Sequence, residues 1–362
     1  MTPQFGKGCH LHLIDGSAFI FRAYHALPPL TRKSDGLPIG AVSGFCNMLH
    51  RYVTDDHGSD APTHVAVIFD KGSHTFRNDL YSEYKANRDA MPEDLRPQIP
   101  LTRAATEAFN IACKELEGYE ADDIIATLAV QARDAGGRVT LSSDKDLMQL
   151  VGGGVEMLDA MNNRRIDVEG VEEKFGVRPD RVVDVQALAG DSVDNVPGAP
   201  GIGIKTAALL INEYGDLETQ LDRAGEIKQP KRRETLIDNR AQIELSKKLV
   251  ILDTATPIDF TLDDLEVLDP EPEKLLTFLA EMEFRTLTKR IAETLEVEAP
   301  VIAETEPQGA DEAAPEWPAI TPDAYTKVAD METLNTWIAK IRHRGYVAID
   351  TDTTSLNEMQ AD

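Results

Sequence analysis

Arg138-Val-Thr-Leu-Ser-Ser-Asp144-Lys145-Asp146 opens on a short apolar run and ends in two acids two positions apart. The same pattern occurs twice more, in His10-Leu-His-Leu-Ile-Asp15 and His64-Val-Ala-Val-Ile-Phe-Asp70. Runs this short and this continuously apolar read as buried parallel strands. Between them, residues 41–55, 95–110 and 121–135 carry helical periodicity, and Gly136-Gly137 stops the last. Alternating strands and helices predict an α/β fold with a mostly parallel central sheet and helices on both faces. Ligands of such sheets sit at the carboxyl ends of strands near a topological switch point, so Asp15, Asp70 and Asp144 are expected together.

Two further acid groups belong with them, Glu120-Ala121-Asp122-Asp123 and Asp191-Ser-Val-Asp194. On a helix opening at Ala121, Glu120 and Asp123 are three apart and share a face. Each group has a bland reading of its own. Acids at a helix start complement its dipole, an Asp-x-Asp pair is common in solvated loops, and Asp191 and Asp194 could cap a helix. The sum is harder to dismiss, because like charges drawn together resist ionising and ask for a cation. Oxygen ligands without a His or Cys partner point to Mg2+ or Mn2+ rather than zinc.

Composition sets the frame. The 362 residues are 42% hydrophobic, enough for a proper core. Cys9, Cys46 and Cys113 lie far apart without Cys-x-x-Cys spacing, which predicts ordinary thiols in a reducing cytoplasm. No signal-like or membrane-spanning stretch stands out, so a protein neither exported nor membrane-bound is expected. The net charge of −26 argues at first sight against nucleic acid. Local potential decides binding, however, and basic residues gather over 77–103, around Lys205, and in Lys228-Gln-Pro-Lys231-Arg232-Arg233.

From 177 to 295 the pattern turns almost wholly helical around Gly198-Ala-Pro-Gly201-Ile-Gly203-Ile-Lys205-Thr206, which reads as a helix-hairpin-helix. Glycines let the backbone approach a ligand, and the next helix offers N–H groups to a phosphate. A Walker-type loop does not fit, since Ile204 separates glycine from lysine and no strand precedes. Residues 296–322 are rich in Glu, Ala and Pro and read as a linker. Beyond it, 331–341 reads as a helix, and Gly345-Tyr-Val-Ala-Ile-Asp350-Thr-Asp352 as a strand ending in acids.

Taken in order, Leu13-Ile-Asp15-Gly-Ser, Phe21-Arg-Ala-Tyr-His25, Phe76-Arg77, Tyr84-Lys85, Arg88, Glu120-Ala-Asp-Asp123, Asp144-Lys-Asp146, Gly190-Asp191-Ser-Val-Asp194-Asn-Val-Pro-Gly198 and Gly201-Ile-Gly203-Ile-Lys205-Thr-Ala form a series. It resembles the flap endonuclease family, in particular the 5'-nuclease at the amino terminus of bacterial DNA polymerase I, over about the first 295 residues. The resemblance implies a PIN-like catalytic core over 1–176 with a helical arch at about 75–105, a helical DNA-binding subdomain over 177–295, the linker 296–322, and over 323–362 the truncated start of a 3'-5' exonuclease-like domain. Asp352 stands where that domain's motif has glutamate.

The resemblance further implies two metal ions, with Asp15, Asp70, Glu120, Asp122 and Asp123 on one side and Asp144, Asp146, Asp191 and Asp194 on the other. Lys85 and Arg88, a helical turn apart in the arch, would face the substrate strand and offset phosphate charge. Tyr84 would stack on an unpaired base, and Arg22 with Tyr24 and His25 would line the entrance. Arg77, Gly198, Gly201, Gly203, Lys205 and Thr206 would contact DNA, with K+ a further candidate at the hairpin. The implied substrate is DNA with 5' flaps, nicks or RNA primers, bound without sequence specificity by a monomer in the bacterial cytoplasm at the nucleoid. A silent junction-binding module and a PIN-type ribonuclease are the alternatives.

Overall fold

The computed structural model describes residues 4–54, 58–142, 144–159, 164–300, 302 and 328–344. Contacts divide the chain into two units, residues 1–308 and 309–362. In the first, strands β1 (His10–Asp15), β2 (His64–Thr75), β3 (Ala112–Gly118), β4 (Arg138–Ser142), β5 (Val155–Asp159) and β6 (Arg164–Ile166) form one sheet in the order β3-β2-β1-β4-β5-β6. Every pairing is parallel except β5 with β6. The chain builds β1, β2 and β3 to one side and then crosses to place β4 on the other flank of β1. That reversal makes the β1/β4 boundary the switch point.

Helices cover both faces, as the runs require. Leu11, Leu13, Ala66 and Ile68 pack with Ile124, Ile125 and Leu128 of helix α5 (Ala121–Asp134). Ile14, Val65, Val67 and Phe69 point the other way, into a core with Phe19 and Ile20 of α1 (Gly16–Ala26), Val42, Phe45 and Leu49 of α2 (Gly40–Thr54), and Ala105 and Ala108 of α4 (Ile99–Ala108). The alternation within each strand is the pleat at work. A short α3 (Phe76–Leu80) follows β2 directly. The helix expected from residue 95 begins later as a regular helix: Arg96–Gln98 is a tight 3-10 turn, and Pro100 sits in the first turn of α4, where its missing N–H costs nothing.

Beyond α6 (Val168–Phe175) the chain is helical: α7 (Val182–Ala189), α8 (Ile204–Tyr214), α9 (Leu217–Asp222), α10 (Pro230–Asp238), α11 (Arg240–Val250), α12 (Pro272–Glu281) and α13 (Arg285–Thr294). The last two do not join their neighbours. Leu275, Leu279, Leu287 and Ile291 pack into the α1/α2/α4 side of the sheet, and both Glu283 carboxylate oxygens accept backbone N–H groups of Lys33 and Ser34. The three cysteines are free thiols, Cys46 buried and the others half-buried.

In the second unit, α14 (Met331–Arg344) spans the expected helix. The acidic strand with Asp350 and Asp352, and most of the linker, lie outside the described residues. Among those described, no helix is long and apolar enough to cross a membrane.

Candidate active site

Each acid has its own structural anchor. Asp15 ends β1 and caps α1, its Oδ1 accepting from Ala18 N at 3.1 Å, while its own N–H donates to Ser142 Oγ on β4 at 2.9 Å. Asp70 in β2 accepts from Ala121 N at 2.9 Å and from Ser17 Oγ at 2.6 Å, which ties the second strand to the start of α5. Asp144 accepts the Asp146 N–H at 2.8 Å, and Gln186 Nε2 of α7 donates to Asp146 Oδ1 at 2.5 Å. Asp191 and Asp194 occupy a tight loop closed by mutual backbone bonds between Asp191 and Val196, at 2.9 and 2.7 Å.

The oxygens converge. One ligand atom from each of Asp122, Asp144 and Asp146 lie within 4.8 Å of one another, and so do those of Asp146, Asp191 and Asp194. Asp146 belongs to both groups. Asp122, expected with Asp15 and Asp70, thus has an oxygen grouped with Asp144 and Asp146, while Asp15 and Asp70 act on it by charge. Burial pushes the Asp122 carboxyl well up, and the charges of Asp144, Asp15, Asp146 and Asp70 push it further. Burial and Asp70 raise Asp15 to about 7, and burial and Asp144 raise Asp146 to about 6. Asp122 Oδ1 is buried without a hydrogen-bond partner. A buried orphan acceptor costs free energy unless something supplies positive charge, and a donor set made only of carboxylates fits hard divalent cations. The carboxylate pocket thus suits divalent cations in general.

Basic side chains also reach this pocket. Lys85 Nζ donates to Glu120 Oε1 at 2.5 Å and lies 3.8 Å from Asp194 Oδ2, Arg88 Nη2 meets Asp194 Oδ1 at 2.6 Å, and Lys145 pairs with Asp191. Burial draws the Lys85 pKa down, but Glu120 and Asp194 outweigh it and leave it raised. Lys145, inside the Asp144–Asp146 motif, and Gln186 were not singled out as site residues. Lys145 had a signal, being flanked by two acids. Gln186 had none, since only the fold brings α7 to Asp146.

Four expectations are corrected. Arg77 does not face DNA. It is 1% exposed, its two Nη atoms grip the Asp123 oxygens at 2.6 and 2.8 Å, and its remaining N–H groups donate to the carbonyls of Leu249 and Ile251. Asp123 is 0% exposed and also accepts from Asp253 N and Glu120 N, so its oxygens hold α5 against the α11 end and it belongs to neither carboxylate triad. Tyr84 is 4% exposed, its hydroxyl 3.1 Å from Glu120 Oε2, and has no ring face free for a base. Between Tyr81 and Leu95 the chain runs in successive turns instead of a helix, with Lys85 in the left-handed region at φ 57°. Arg22 is half-buried with its guanidinium 5.9 Å from the Phe19 ring and lines a small cavity with Ser142, whose hydroxyl accepts the Asp15 N–H, and Tyr24 donates to Asp94.

The hairpin follows the acid loop without a break. Gly190, at φ 70°, ends α7, and Gly198, at φ 59°, packs so closely on it that a Cβ there would stand 2.3 Å from Gly190 N. Ser246 Oγ accepts the Gly198 N–H at 2.9 Å, and Gln242 Nε2 donates to its carbonyl at 2.7 Å, both from α11. Gly201 and Gly203 are exposed with open space around them, as is Lys205, while Thr206 is half-buried. Gly203 caps α8 without a side chain. An uncapped helix start beside a lysine suits an anion.

Comparison with known proteins agrees. Residues 10–176 match a family described as 5'-3' exonuclease, N-terminal resolvase-like domain, and 177–273 match the 5'-3' exonuclease C-terminal SAM fold. The chain is 50% identical to DNA polymerase I of Rhizobium leguminosarum over 98% of its own length and 41% of that protein's. It thus spans less than half of that relative. It is 38% identical to the 5'-3' exonuclease of Aquifex aeolicus, covering 78% of this chain and 94% of that one. In fold it is similar to zinc-bound bacteriophage T5 5'-exonuclease (TM-score 0.58, 21% identity, 80% of this chain and 99% of the other) and to the catalytic core of Rad2 in complex with DNA (0.51, 18%, 80% and 93%). The matches cover both the sheet that gathers the acids and the helices that carry the hairpin, and the chain belongs to the 5'-3' exonuclease family.

Proposed function

We propose that the chain hydrolyses phosphodiester bonds near the 5' end of DNA at flaps, nicks and RNA primers, selecting junction shape over base order. The observation that carries this is the pair of acid triads sharing Asp146, with the orphaned Asp122 oxygen between charges that repel. Asp122, Asp144, Asp146, Asp191 and Asp194 would hold two ions, Mg2+ or Mn2+, with Asp15, Asp70 and Glu120 tuning the pocket behind them. Bound there, the ions supply an activated water and charge stabilisation of the leaving 3'-oxygen.

The chain's own cations do the rest. Lys85 and Arg88 exchange Glu120 and Asp194 for the scissile phosphate and hold its developing charge. The hairpin grips the duplex backbone through the Gly201 and Gly203 main chain, Lys205 and Thr206, with K+ as a candidate bridging ion, so binding carries no sequence information. By likeness to the polymerase relatives, the activity would serve primer removal and excision repair as the leading part of DNA polymerase I, in the cytoplasm and as a monomer.

A 5'-labelled flap duplex tests the reading. Short labelled products released near the junction with Mg2+ or Mn2+, and none with EDTA, are expected. The Asp144→Asn, Asp146→Asn double variant should lose about 10³-fold or more in rate with DNA binding retained. Unchanged turnover in that variant sinks the metal mechanism; preference for unstructured RNA points to the ribonuclease.

A further inference from the structure

Lys85 and Arg88 sit on a segment without regular secondary structure, yet Lys85 reaches Glu120 and Asp194 and Arg88 reaches the same Asp194. What holds that segment is a set of bonds to the acid loop. Lys85 N–H donates to the Asp194 carbonyl at 3.0 Å, Asn87 Nδ2 to the Ser192 carbonyl at 2.7 Å, and Asn195 Nδ2 to the Glu83 carbonyl at 2.6 Å. On the far side, Asn78 Nδ2 donates to the Tyr84 carbonyl at 3.1 Å. The peptides around Lys85 are thus pinned from both directions while its φ is held at 57°. Asn195 is itself left-handed at φ 56°, a conformation asparagine tolerates better than most residues, and this conformation accompanies the reach of its side chain back to Glu83.

We infer that Asn87 and Asn195 are positioning residues that stitch the cation-bearing turn to the Asp191/Asp194 loop, so that Lys85 and Arg88 move as one body with two of the metal-site acids. This deepens the nuclease reading and rests on it. The amides of Asn87 and Asn195 meet backbone carbonyls, not the acids, and so act on the chemistry only through placement. The two loops are 105 residues apart in sequence at Asn87 and Ser192 and neither is a helix or strand, so bonds between them set their relative placement. Displacement of a phosphate-holding cation by about 1 Å is enough to lower a rate about 100-fold.

Single-turnover cleavage of a 5'-flap duplex at saturating enzyme, with DNA affinity measured in Ca2+, tests it. Asn195→Gly keeps the left-handed backbone and removes only the amide; Asn87→Ala removes the second stitch at an exposed position. Each should lower the single-turnover rate roughly tenfold or more, with Kd within about twofold, and neither should lower it further in a Lys85→Ala, Arg88→Ala background. Unchanged rates in both variants, an equal fall in the doubly substituted background, or a loss confined to Kd overturns the inference while leaving the nuclease reading intact. A wild type that does not cut the flap overturns both.

Discussion

The acid pocket and the hairpin lie on one connection, residues 190–203 between α7 and α8, yet they are built on opposite principles. The pocket gathers charge against its own repulsion: Asp122, Asp15 and Asp146 are all pushed above the ordinary carboxylate range by burial and by each other. The hairpin works with almost no charge, through glycines whose backbones touch or stand open to solvent. One region spends stability to prepare a metal site; the other spends conformational freedom to present main chain. The first should therefore answer to pH, metal and charge, and the second to the addition of a methyl group.

The largest effect that can break this contrast is at Asp122. Asp122→Asn removes a ligand and a repelling charge at once, so cleavage should fall about 10²–10³-fold while the melting temperature in EDTA rises. A lower melting temperature would mean that Asp122 stabilises the fold and that the pocket is not strained. Next comes Gly198→Ala, whose Cβ meets Gly190 N at 2.3 Å in a left-handed backbone. It should cost about 3 kcal/mol in urea unfolding, equally at pH 5.5 and 8. Gly201→Ala, with nothing within 4 Å, bears only the backbone penalty of about 1 kcal/mol.

Acidity gives a smaller and opposite signature for the pocket. Asp15 at about 7 and Asp146 at about 6 hold their protons more tightly folded than unfolded, where a carboxyl titrates near 4. The folded state therefore binds more protons between about pH 4 and 7, and stability in EDTA should fall as pH rises through that window. A melting temperature a few degrees lower at pH 8 than at pH 5.5 is expected, with the loss reversed by Mn2+. A rise with pH would refute the assignment. The smallest effect is Lys205→Ala, which should weaken duplex binding and lower the slope of log affinity against log salt by about 0.9, the share of one phosphate contact; an unchanged slope removes Lys205 from the interface.

Much of this was legible because burial writes itself into strands. The runs ending at Asp15, Asp70 and near Asp144 are covered on both faces, so they are apolar throughout. β3, the edge strand Ala-Cys-Lys-Glu-Leu-Glu-Gly, is half-exposed and charged, and carries no such mark. The acids were readable as a group since nothing in a core accounts for them. Arg77 and Asp123 were misread for the same reason the others were read well: a charged residue inside a functional motif looks functional, and its partner lies 46 residues away. Asn87 and Asn195 gave no signal, because an amide that holds a carbonyl from another loop has no local pattern.

By itself, then, the sequence determined the parallel α/β sheet, the carboxylate inventory and the glycine hairpin, since strand burial, charge type and missing side chains are properties of the residues in place. Only the tertiary structure decided which acid oxygens fall into one group, that Asp146 belongs to both groups, that Arg77 is a buried clamp, and that two distant loops are bonded to each other. Those are distances between atoms far apart along the chain, and a few ångströms separate a ligand from a strut.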